Sequence, residues 1–136
     1  MKAIKMTIVA LVTVLSLAGC KKDVEKTTLE KIQGRWNYGS SNHKEVYPPS
    51  TNNTYAFTGK AGEYFDFRTD GKLYVKMEGD PEESETYTVD NDNQISISGE
   101  PFVIQQLTDN RLVIYSKQVD PTSSDAYTEH TYTLTR

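Results

Sequence analysis

The stretch "EYFDFRTDGKLYVKME", residues 63–78, decides the fold. Phe65 and Phe67 precede Asp70-Gly71, and Leu73, Val75 and Met77 follow it, with Asp66, Tyr74 and Lys76 at the alternate positions. Apolar residues at every second position mark a strand with one buried face, and Asp-Gly between two such runs marks a tight turn. The stretch therefore reads as a β-hairpin with an apolar face and a wet one. Working outward, the same pattern continues over Arg35–Gly39, Thr54–Thr58, Thr86–Asp90, Gln94–Ser98, Phe102–Leu107, Arg111–Lys117 and Tyr127–Thr135. Between these runs stand "TGKAG", "GDPEE", "DND", "SGEP", "TDN" and "DPTSSD", rich in the residues that turns require. No stretch of ten residues after Gly34 carries helical periodicity.

Connections this short pair sequential strands as antiparallel neighbours. The apolar face continues through Tyr87 and Val89, Ile95 and Ile97, Phe102 and Ile104, Leu112 and Ile114, and Tyr132 and Leu134. Each large side chain contributes about 1.5–3 kcal/mol when buried, but only if its face meets another apolar face. No second layer is available to cover the sheet, so it must close on itself, which also removes exposed edges. The expectation is an all-β protein: an eight- to nine-stranded antiparallel up-and-down meander barrel with one short N-terminal helix.

That helix is announced by Thr27-Thr28-Leu29-Glu30, a hydroxyl three residues before a carboxylate, with Leu29 and Ile32 as the docking pair and Gly34 as the stop. Before it, residues 21–26 hold a single apolar side chain, Val24, and read as a tether. Earlier still, Lys2 and Lys5 lead into an apolar run from Met6 to Ala18 that is shorter than the roughly 20 residues a membrane-spanning helix needs. The run ends in Leu17-Ala18-Gly19-Cys20, and Cys20 is the chain's one cysteine. This segment resembles the signal and lipobox of bacterial lipoproteins. The resemblance implies cleavage before Cys20, lipid on its thiol, and a place in the cell envelope as an outer-membrane lipoprotein, periplasmic or surface-facing. The charged residues after it are similar to the export segment of Bacteroidota-type lipoproteins. The division expected is a signal peptide over 1–19, a lipidated cysteine and tether over 20–28, and a barrel over 29–136.

Removing Lys2 and Lys5 from the 15 basic residues leaves 13 against 19 acidic ones, a net of −6 that disfavours nucleic acid. With no further cysteine, the fold must hold without disulfides. Residues able to carry chemistry are few. His43 falls in a polar loop and His130 on a strand, which makes no metal motif, and "DNDN" at residues 90–93 reads as a turn. No nucleophile, phosphate loop or carboxylate pair can be argued, so no enzyme and no cofactor are expected. The longest connection, "SSNHKEVYPPSTNNT" at residues 40–54, is either a solvated loop or a lid carrying Tyr47 and Tyr55.

Gly34-Arg35-Trp36 after a short helix, followed by the meander and the closing strand "TYTLTR", is similar to the start and course of lipocalin-like domains of the calycin superfamily. The resemblance covers Leu29 to Arg136. It implies that Trp36 lies at the closed end of the barrel under an arginine, Arg136 or otherwise Arg111, and that a small apolar or amphipathic molecule binds inside. The candidate ligand contacts are Phe65, Phe67, Met77, Tyr87, His130 and Tyr132, with Tyr47 and Tyr55 at the mouth. With nine tyrosines in the chain, a solid barrel that recognises a glycan or a protein through its surface is the alternative.

Overall fold

A computed structural model of the protein describes residues 24–136. Cys20 and residues 1–19, which the sequence leads one to expect as a signal peptide, lie outside the described residues. One helix, α1 (Thr28–Ile32), is followed by nine strands: β1 (Gly34–Tyr47), β2 (Thr51–Thr58), β3 (Tyr64–Phe67), β4 (Lys72–Lys76), β5 (Glu83–Asn91), β6 (Gln94–Ile97), β7 (Glu100–Leu107), β8 (Arg111–Asp120) and β9 (Ser123–Thr135). All pairings are antiparallel, and β1 also pairs with β9. Eight strands thus close into a barrel, β1-β3-β4-β5-β6-β7-β8-β9, and β2 is the ninth, outside it.

The arrangement of β2 follows from the length of β1. Gly34–Asn37 of β1 pairs with β3, and then Ser40–Tyr47 pairs with β2 along the same edge, while β9 follows β1 along the other edge from Asn37 to Val46. Beyond a bulge between Tyr38 and Ser40, β2, β1, β9 and β8 therefore run past the barrel wall as a four-stranded arm. The stretch 40–54, expected to be a loop over the mouth, is instead two strands joined by a turn at Pro48-Pro49, and His43 sits within a strand. Its Ser, Thr and Asn residues hide the strand signal because both faces of β2 are largely exposed, so no apolar alternation is selected.

At the closed end, Thr27 caps α1: its Oγ1 accepts from Glu30 N–H at 3.3 Å, and the Glu30 carboxylate accepts from Thr27 N–H at 2.8 Å. Ile32 is fully buried, whereas Leu29, expected to dock beside it, is 42% exposed. Trp36 is fully buried and its indole N–H donates to the Ile32 carbonyl at 2.7 Å. The Arg136 guanidinium lies 3.9 Å from the centre of the Trp36 ring and donates to the carbonyls of Lys31, Gln33 and Asp109 at 2.8–3.1 Å. Gly34 has φ +107°, a backbone angle that L side chains rarely adopt, and a Cβ there would stand 3.5 Å from the Arg136 guanidinium. Arg111 points elsewhere, donating to the Gln106 side chain at 2.9 Å.

Above this floor the fully buried residues Phe67, Leu73, Ile95, Leu112, Ile114 and Leu134 fill the lower half of the barrel. The upper half is not filled.

Candidate functional site

A cavity of about 450 Å³ opens at the end of the barrel away from α1. Its apolar wall is built by alternation. Phe65 of β3, Val75 of β4, Ile97 of β6, Phe102 of β7 and Tyr132 of β9 hold inward positions in their strands, and Met77 continues β4. Tyr132 organises the aromatic side, with ring centres 5.6 Å from Phe65 and 6.2 Å from Phe102. Tyr38 stacks behind Phe65 at 6.0 Å. Sites of this size that combine an apolar wall with placed polar groups are where small molecules bind.

The polar groups are acidic. Leu73 faces Glu85, Val75 faces Glu83 and Ile97 faces Glu100 across neighbouring strands, so all three glutamates share the inward face. Each lines the cavity. Ser98 donates to Glu85 at 3.0 Å, while Oε1 of Glu100 is buried and has no partner. Burial, followed by the nearby Tyr38, Glu100 and Glu85, holds the Tyr132 phenol above the usual tyrosine range. Another inward glutamate, Glu63, is fully used: its carboxylate accepts from the N–H groups of Glu78 and Lys60 at 3.0 and 2.7 Å, which hold it below the usual carboxylate range.

The inner face continues onto the arm. In register across it stand Ser116 of β8, His130 of β9, His43 of β1 and Tyr55 of β2. His43 Nδ1 lies 3.1 Å from His130 Nδ1, and His43 Nε2 lies 2.8 Å from a Glu45 carboxylate oxygen. Burial first, then the neighbouring His43, pushes His130 below the usual histidine range. Among the described residues no group of three His, Cys, Asp or Glu side chains is placed to hold a metal ion.

The residues singled out in the sequence divide into three places. Phe65, Met77 and Tyr132 line the cavity. Phe67 and Tyr87 do not: they belong to the filled lower half, packed edge to face at 5.1 Å, with the Tyr87 hydroxyl donating to the Arg68 carbonyl at 2.9 Å. His130 stands above the lining, its ring stacked on Tyr132 at 6.4 Å. Tyr55 stacks on His43 in the arm at 5.9 Å, and Tyr47 ends β1, so neither forms a loop lid. Glu83, Glu85 and Glu100 were missed. The signal was present, because Glu83 and Glu85 keep step with Tyr87 and Val89, and Glu100 keeps step with Phe102 and Ile104. Proximity to "GDPEE" and "SGEP" made them read as turn residues.

Among solved structures, a deswapped triple mutant of bovine odorant binding protein matches at 20% identity and a TM-score of 0.44, covering 78% of this chain and 74% of that one. No protein-family model and no curated protein matches.

Proposed function

We propose that the protein is a non-enzymatic binding protein of the bacterial cell envelope, held to the membrane by lipid on Cys20, which takes up a small amphipathic molecule in the open half of its barrel. The cavity of about 450 Å³ with an aromatic wall carries this reading. An eight-stranded barrel has an interior that side chains either fill or leave open for one small ligand. Here they fill the floor and leave the mouth open.

Titration with N-phenyl-1-naphthylamine, an uncharged apolar fluorophore, tests the cavity. Saturable binding near or below micromolar concentration is expected, a free energy of about −8 kcal/mol or better. Val75→Trp and Met77→Trp each place an indole in the lining and should weaken binding at least about tenfold, a loss of roughly 1.4 kcal/mol. Absence of saturable binding to the parent protein overturns the cavity reading. The second reading, recognition of a protein or glycan, would then rest on the arm, where Phe57 is 55% and Val119 52% exposed.

A further inference from the structure

The three glutamates of the cavity are in an unusual place. Inward positions of a small barrel ordinarily carry apolar side chains, and a charge there needs a partner. Every salt bridge of the described residues uses other acids, so Glu83, Glu85 and Glu100 have no basic partner among them. Glu63, on the same side of the sheet, shows how this fold satisfies a carboxylate when its role is structural, with two backbone N–H donors. Glu100 Oε1 has none, although it is buried. A second oxygen is left without a partner on the inner face: Ser116 Oγ, in a side chain only 2% exposed, in register with His130. Glu83 and Glu85 are exposed to solvent at the rim, so the buried oxygens left without a partner are Glu100 Oε1 and Ser116 Oγ.

We infer that the ligand of this cavity is a cationic amphiphile, an ammonium group on an apolar body, with its charge among Glu83, Glu85 and Glu100 and its body against Phe65, Phe102, Tyr132 and Met77. This rests on the cavity reading above and names the ligand class for it. Three charges of one sign around the mouth of a concavity attract a cation and oppose the entry of an anion. The same wall offers the faces of aromatic rings, which attract organic cations and leave their apolar surface covered. A metal ion does not match the site, since these glutamates do not form a group placed to hold one. An ammonium group on a flexible body reaches carboxylates spread around a rim.

The experiment displaces bound N-phenyl-1-naphthylamine with three ligands of equal chain length, decylammonium, whose three N–H groups can donate, decanol and decanoate, each below its micelle or solubility limit. The ammonium is expected to displace the fluorophore at a concentration at least about tenfold below that of decanol, and decanoate to be the weakest. Raising the salt concentration should narrow the gap, because charge attraction at an open mouth is screened. In the triple variant Glu83→Gln, Glu85→Gln, Glu100→Gln the preference should vanish while the fluorophore still binds, which also reports that the barrel has folded. A control variant, Asp92→Asn, Asp109→Asn, Asp125→Asn, removes the same charge from exposed positions outside the lining and should keep the preference. Equal displacement by ammonium and alcohol in the parent, with the fluorophore bound, overturns the cationic ligand and leaves the cavity reading intact. So does a preference that persists in the glutamine variant. If the fluorophore itself does not bind, the cavity reading fails and this inference fails with it.

Discussion

Trp36 is where one side chain carries several parts of the fold at once. It closes the barrel floor, holds the end of α1 through its indole N–H, and forms the platform for Arg136. Trp36→Ala removes a fully buried aromatic group, and the expected loss is about 3–5 kcal/mol. Arg136→Ala is expected to cost less, about 1–3 kcal/mol, since it removes a stacked cation and three hydrogen bonds but leaves no large void. Arg136→Lys should recover only part of that loss, because an ammonium cannot reproduce the planar fork that reaches Lys31, Gln33 and Asp109 together. Urea denaturation of the three variants checks the order. The pair was legible in the sequence only through the resemblance carried by Gly34-Arg35-Trp36, since nothing in local spacing joins Trp36 to a residue a hundred positions later. The inward glutamates were the reverse case. Their parity was visible, but charged residues beside Pro and Gly are ordinarily solvated turn residues, and that prior hid them.

At the scale of elements, the arm exists because β1 and β9 are longer than the barrel wall. Its junction with the barrel is tight: Gly59 N–H donates to the Gly39 carbonyl at 2.8 Å, and a Cβ on Gly59 would fall 1.7 Å from the Tyr38 carbonyl oxygen. Gly59→Ala must therefore move backbone at the point where β2 returns to the wall. We expect a loss above about 2 kcal/mol. Hydrogen exchange should show the loss first in Thr51–Thr58 and last in the floor strands, because β2 is mostly exposed and has few buried contacts. Uniform loss of protection across the chain would contradict this placement of the strain. Strands with one buried face, β3, β4, β6 and β8, were readable from alternation. The arm was not, since in "SSNHKEVYPPSTNNT" the pairing is set by a neighbouring strand and not by burial. The outer face of the arm shows the same dependence on partners. There Lys117 lies 3.9 Å from the centre of the Tyr127 ring, and the Tyr115 hydroxyl donates to Glu129 at 2.7 Å, with burial and that carboxylate pushing its phenol up to about 12.

For the whole molecule, the division of labour is between a filled lower half and an open upper one. The order of apolar strands foretold closure, but not which layer of side chains stops short, because that depends on three glutamates taking positions where Ile or Phe would have filled the space. The proposed anchor rests on the segment ending in Cys20. Cys20→Ser should abolish incorporation of a labelled fatty acid and leave the precursor uncut, since the modified thiol is what directs cleavage in the lipoproteins this segment resembles. A serine variant that still takes up label ends the proposal of a lipid anchor. With that anchor in place, the entry of the chain at the floor acquires a directional meaning. Residues 24–27 lead into α1 at the closed end, and Cys20 stands seven positions before the capping Thr27. If Cys20 carries lipid as proposed, seven residues could reach no farther than roughly 25 Å, and the floor would stand within that distance of the lipid. The shortest arrangement would then lay the floor toward the bilayer and turn the acidic mouth to the aqueous side. Cargo would then arrive from above, handed over in solution or by a facing partner, rather than climbing directly out of the membrane on which the protein stands.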